Sequence, residues 1–170
     1  MHGGTYFDVI NDVILTPLGI AAGPFATRRD WDQCTHPAVT DDLRAYDPAW
    51  VYTGTFCADP AETARGLALM LGGALGASLA SAQRTSHRVS IPTEHPMAPT
   101  AGYGLGVMTT GDPVEIVAHG GQGPGFTLFA AARVDGTAWH AEAAPGETNE
   151  APLIERCLVE LRAGSDVTKG

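Results

Sequence analysis

Lysine is almost missing from this chain. Of its 170 residues ten are basic, and the single lysine is Lys169. Acidic side chains number 19, for a net charge of −9. A carboxylate excess without clustered Lys or Arg excludes a partner held through a phosphate backbone, so no nucleic acid is expected. Long apolar runs are missing too. The richest stretch, Leu67 to Leu79, is broken by Gly72, Gly73 and Gly76, short of the roughly 18 apolar residues that span a bilayer. The opening "MHGGTYFD" has neither the charged nor the apolar part of a signal peptide, which leaves the compartment open.

Chemistry-bearing residues are also thinly spread. The three cysteines, Cys34, Cys57 and Cys157, are odd in number and far apart, which predicts free, partly buried thiols. His36, His87, His95, His119 and His140 show no His-x-x-x-His spacing, so neither a metal nor a cofactor is expected. None of the five serines (Ser78, Ser81, Ser86, Ser90, Ser165) lies in Gly-x-Ser-x-Gly. That excludes a lipase-type nucleophile elbow.

What is present reads as α+β. Thr5 and Asp8 form a capping box before Phe7, Ile10 and Ile14, which predicts an amphipathic helix over 5–15 stopped by Pro17. Residues 21–50 show no sustained period and read as a long excursion with one short helical turn. Asp59, Pro60 and Glu62 open a second helix, with Leu67, Met70, Leu71 and Leu75 on its buried face and Gly72-Gly73 at its end. Residues 81–100, with Pro92, Pro96 and Pro99, read as a linker or exposed loop. "YGLGVMTT", "VEIVAHGG", "FTLFAAARV" and "TAWHAEA" then predict hairpin-linked strands of an antiparallel meander. Asp135-Gly136 is expected to form a two-residue turn with φ above zero at both positions. A last helix, from Thr148 or Asn149 to Leu161, presents Leu153, Ile154, Cys157, Leu158 and Leu161 on one face and ends at Gly164. Trp31, Trp50 and Trp139 are expected to pack, and Asp41-Asp42, Glu147 and Glu150 to occupy solvated faces or helix starts, where acids favour the dipole.

One stretch resists a purely structural explanation. "VAHGGQGPGF", residues 117–126, puts a histidine before two glycines and follows with Gly-Pro-Gly. Glycine at that density costs conformational entropy, which a tight turn or a close approach to a ligand would repay.

Four pieces of the chain, in order, resemble the serine β-lactamase and penicillin-binding-protein family, which includes class C-like β-lactamases, D-amino-acid peptidases and related esterases. "GGTYFDVINDVILTPLGI" resembles the helix and Pro-Leu-Gly turn that follow the family's second motif. "VYTGTFCADPAETARGLALMLGGAL" is similar to its glycine-containing loop, capped helix and trailing glycine. "YGLGVMTT" resembles its Tyr-Gly-Leu-Gly strand, and "AHGGQGPGF" its third catalytic motif, a Lys-Thr-Gly that esterase-like members write as His-x-Gly. The resemblance implies an incomplete β-lactamase-like fold: residues 1–100 as the remainder of a helical region with its loops, 101–164 as the strands and C-terminal helix of the sheet domain, and 165–170 as a tail. It implies that His119, Gly120 and Gly121 form the third motif, on a strand beside the nucleophile. Gln122 then offers a backbone oxyanion donor, and His119, Gly120, Gln122 and Gly123 lie along the substrate. Such a donor contributes roughly 3–4 kcal/mol to acyl transfer.

The family's nucleophile and base, Ser-x-x-Lys, are not in the chain: Lys169 is four residues after Ser165, outside any matching context. A Tyr-x-Asn second motif is also missing. Both belong N-terminal to the segment resembling Gly3–Ile20, so the chain reads as the C-terminal part of a longer serine hydrolase, inactive alone. A small amide or ester is its substrate only when the other half is present. The other reading is a non-catalytic binding module on the same scaffold. Without the N-terminal part, Phe7, Ile14, Leu67 and Leu71 are expected to lack a packing surface and a sheet edge to stay unpaired, which favours a homo-oligomer or a second chain.

Overall fold

A computed structural model describes residues 4–33, 47, 56–123, 126–145 and 149–163. Its organising element is an antiparallel sheet in sequential order, β3 (His87–Arg88), β4 (Gly102–Gly104), β5 (Val107–Thr110), β6 (Ile116–Gly123), β7 (Phe126–Arg133) and β8 (Trp139–Pro145). Upstream lie α1 (Tyr6–Ile10), β1 (Ala22–Pro24), α2 (Arg28–Gln33), β2 (Phe56–Ala58), α3 (Pro60–Leu71) and α4 (Ala77–Arg84), and α5 (Ala151–Ala163) ends the chain's described part. The expected α+β meander with flanking helices is the fold found.

Helices cover both faces of the sheet. On one, the α5 stripe of Leu153, Ile154, Cys157, Leu158 and Leu161 packs on Ile116, Ala118, Phe129 and Ala131, all buried. On the other, Leu67, Ala68 and Leu71 of α3 pack on Val107, Val117 and Ala132. Strand β7 lies inside the sheet between β6 and β8, so its Ala130-Ala131-Ala132 run is buried on both sides rather than alternating; side chains this small let two helices approach. Each fully buried Leu or Ile contributes about 1.5–3 kcal/mol.

Helix ends follow local chemistry. Thr5 Oγ1 accepts from Asp8 N at 3.3 Å while Asp8 Oδ2 accepts from Thr5 N at 2.6 Å, the expected capping box. Helix α1 nevertheless gives way to a π-helical turn over Asn11–Leu15. Asp59 Oδ1 accepts from Ala61 N at 2.7 Å with Pro60 in the first turn. Helix α3 stops at Gly73, whose φ of +89° suits only glycine. The Arg84 guanidinium donates to the Leu71 carbonyl at that same helix end. Arg65, in the middle of α3, ties it to the upstream turn through the Leu18 and Gly19 carbonyls (3.2 and 2.6 Å) and Glu62.

Several expectations are corrected. Residues 81–100 are not simply a linker, because α4 runs to Arg84 and β3 begins the sheet at His87. "YGLGVMTT" is two strands, not one: Gly104 pairs with Val107, and Gly106 turns the chain at φ +68°. In the β7–β8 connection only Gly136 has positive φ, +73°, because Asp135 instead accepts from Thr137 N and Oγ1 (3.0 and 2.7 Å). Leu67 and Leu71 do not lack a surface, since sheet and helix bury them. Phe7 and Ile14 are half-buried. Trp139 is not a core residue but 43% exposed. Trp50, Asp41-Asp42, Glu147 and Gly164 lie outside the described residues, as does the Trp31 side chain.

One cysteine departs from expectation. Cys57 on β2 is disulfide-bonded, because distance along the chain does not measure distance in space; Cys34 lies outside the described residues. Cys157 is free and buried, its Sγ 3.7 Å from the Phe129 carbonyl. Burial, and then the Glu142 charge, push its thiol from 9.0 up to about 12. The folded chain keeps that thiol neutral, so the stability it contributes is present below the unfolded value and is lost as pH rises towards about 12. Native Cys157 is therefore expected to resist iodoacetamide at pH 8 and to react promptly in denaturing urea. Equal alkylation rates in the two states would contradict this.

Candidate active-site strand

Alternation along β6 sorts the glycine motif onto two faces. Ile116 and Ala118 belong to the α5 core, which puts Gly120 on that side. Val117 belongs to the α3 core, which puts His119 and Gly121 there. His119, Gly121 and Gln122 are exposed at the end of the strand. A Cβ at Gly121 would meet nothing within 4 Å, so this glycine leaves space beside the strand rather than relieving a clash.

Strand pairing opens the same end. Strand β5 meets β6 only at Ile116, Val117 and Ala118. On its other side β6 stays paired with β7 through Gly123↔Phe126. Among the described residues, then, 119–123 have a sheet neighbour on one side only, and the β5-side edge is open to an extended ligand. Residues 124–125 lie outside the described set.

His119 is held by its own strand. Its Nδ1 lies 2.6 Å from the Gly120 carbonyl oxygen. A carbonyl only accepts, so Nδ1 carries the proton, and a neutral ring presents the Nε2 lone pair. That nitrogen is a proton acceptor at an open strand end.

Beneath the motif lies a residue that composition and spacing left among ordinary helix-start acids. A Cβ at Gly120 would come within 2.7 Å of Glu150 Oε2 and 3.4 Å of Phe129 Cδ2. Glu150 does sit at a helix start, its carbonyl accepting from Leu153 N and Ile154 N (both 3.0 Å). Its half-buried carboxylate, though, lies against the α5 side of Gly120. Gly120 therefore borders the Glu150 carboxylate inside the fold, while Gly121 faces open space. Only the pairing of strand and helix start brings these residues together, and no local motif signals it.

The solved structures supply a fold for this strand. The chain superimposes on a D-stereospecific amidohydrolase from Streptomyces sp. with a TM-score of 0.67 over 94% of its own length. The fold is shared. It is a partial β-lactamase-like fold, and identity over the match is 20%. The match covers 50% of the amidohydrolase chain, so these 170 residues span half its length. No protein-family model and no curated protein sequence matches the chain.

Proposed function

We propose that the chain is the oxyanion-strand half of a serine hydrolase that cleaves amide or ester bonds through an acyl-enzyme. The observation carrying this proposal is the exposed, one-sided end of β6, where His119, Gly121 and Gln122 lie along an open edge, on a scaffold shared with a D-stereospecific amidohydrolase. In this reading the substrate carbonyl lies along that edge and the Gln122 backbone N–H donates to the developing oxyanion. Nε2 of His119 accepts a proton or hydrogen bond from substrate or from a tyrosine of the other half. The serine that attacks and the lysine that activates it come from polypeptide outside these 170 residues, so the chain alone makes no acyl-enzyme.

The test extends the reading frame upstream of Met1 and assays the longer product beside the 170 residues with a fluorescent penicillin and p-nitrophenyl acetate. The longer product is expected to contain Ser-x-x-Lys followed by Tyr-x-Asn, to be labelled covalently and to turn over ester. His119→Ala in it is expected to lower kcat/KM by about 10²-fold, the lower range for a positioned acid–base group. Turnover by the 170 residues alone would overturn the assignment of roles. An upstream frame without those motifs would favour the binding-module reading.

A further inference from the structure

Helix α5 begins beside the β6 motif with its opening donors already satisfied. Asn149 Oδ1 accepts from Ala151 N at 3.1 Å, Pro152 has no N–H, and Leu153 N and Ile154 N both donate to the Glu150 carbonyl at 3.0 Å. An acidic side chain at a helix start is ordinarily there to cap such donors. Here none of the first four positions uses the Glu150 carboxylate. Among the described residues no arginine or histidine pairs with it either.

That carboxylate stands in the place of a side chain on β6. Its Oε2 lies 2.7 Å from where a Gly120 Cβ would be, and the residue is half-buried. No Lys or Arg occurs between 116 and 123, so the strand end receives a negative group and no fixed positive one. Strand β5 stops pairing at Ala118, which opens the edge beside Gly120. A chain laid along that edge would place its side chains about 4.5–5.5 Å from the Cβ positions they face. A group opposite Gly120 that is directed to the α5 face therefore arrives beside Oε2. Gln122, with the proposed oxyanion donor, is two residues further on, about 7 Å along a strand. A carboxylate partly withdrawn from water gains most from a charged donor, and a protonated amine supplies one.

We infer that Glu150 is a specificity residue that selects substrates carrying a protonated amine about 7 Å from the carbonyl to be cleaved. The inference rests on the β6 edge being the seat of the substrate, and it adds a residue of α5 that lies outside the glycine motif. Glu150 recognises the amine and takes no part in bond breaking. A substrate with an anionic group at that distance is disfavoured by the same carboxylate.

The experiment titrates the full 170-residue chain with 5-aminopentanamide and with hexanamide, which carries a methyl group in place of the ammonium. Nuclear magnetic resonance follows the backbone amides of 119–122 and the Glu150 carboxyl carbon. The amine is expected to shift both sets saturably and to bind about ten times more tightly than hexanamide, the low end for a hydrogen bond to a charged group. Glu150→Gln, of the same shape, is expected to bind the two amides equally. Gly120→Ala, which pushes the carboxylate aside but keeps its charge, is expected to lose most of the preference. Circular dichroism and Tm are expected to stay native in both variants. Equal binding of the two amides by the parent, or a full preference kept by both variants, would overturn the inference. Shifts confined to other residues, or no shift with either ligand, would overturn it as well. The underlying reading is judged separately, by turnover of p-nitrophenyl acetate in the longer product, since that ester has no amine.

Discussion

Phe129→Ala is expected to cost about 3–5 kcal/mol, the range for removing a fully buried phenyl ring. The ring is 0% exposed and lies in the α5 core with Ile116, Leu153, Ile154 and Leu158. Its same-face neighbours on β7 are Thr127 and Ala131, both much smaller than a phenyl ring, so the strand itself cannot fill the space left behind. Domains of this kind have a net stability of only about 5–15 kcal/mol, so one substitution removes a large share. With a urea m-value of about 2 kcal/mol per molar, the unfolding midpoint should fall by roughly 1.5–2.5 M. A loss below about 1 kcal/mol would mean that the site collapses and that the core is less tightly specified than its packing implies. The same ring backs the glycine motif: Phe129 pairs with Gly120 across β6–β7, and its Cδ2 lies 3.4 Å from where a Gly120 side chain would begin. Core and candidate site thus share a residue.

What was legible in the sequence was what is local. The Thr5–Asp8 and Asp59–Pro60 caps, the α5 stripe and strands β6 to β8 each depend on residues within a few positions of one another, and their chemistry survives folding. The misses share a different cause. Helix α4 begins at Gly76 with φ +108° and no side-chain cap, so no start signal marks it within an alanine- and serine-rich run. Strand β3 is only two residues, His87 and Arg88, and is stabilised by pairing with Gly102 and Tyr103, a partnership that no local period encodes. The β1–β2 ladder joins residues 22–24 to 56–58 across a long sequence separation. The Cys57 disulfide and the contact of Glu150 with Gly120 are likewise facts of tertiary position. For the candidate site, the His-Gly-Gly pattern pointed to a strand near a ligand. It carried no information on which glycine faces open space and which faces a carboxylate.

That distinction predicts which glycines the fold cannot change. Gly136→Ala is expected to be far more damaging than Gly106→Ala, although both positions have nearly the same backbone, φ +73° and +68°. A side chain in this left-handed region costs about 1–2 kcal/mol wherever it occurs. At Gly106 nothing lies within 4 Å of the added Cβ, so that cost is the whole effect. At Gly136 the Cβ would come within 2.7 Å of the Ala68 carbonyl oxygen and 3.3 Å of Gly72 N, both backbone atoms at the end of α3. A backbone carbonyl inside a helix cannot swing aside, so the β7–β8 turn must lift from α3, adding about 1–3 kcal/mol for overpacking. Gly120→Ala is the informative contrast within the motif. Its Cβ meets the far end of the Glu150 side chain, which rotates away at little cost, so the fold should tolerate it. Denaturation of the three variants side by side tests the ranking: Gly136→Ala lowest, Gly106→Ala next, Gly120→Ala nearest the parent. If Gly106→Ala and Gly136→Ala fall together, backbone conformation alone sets the cost and the seat of the turn on α3 contributes nothing.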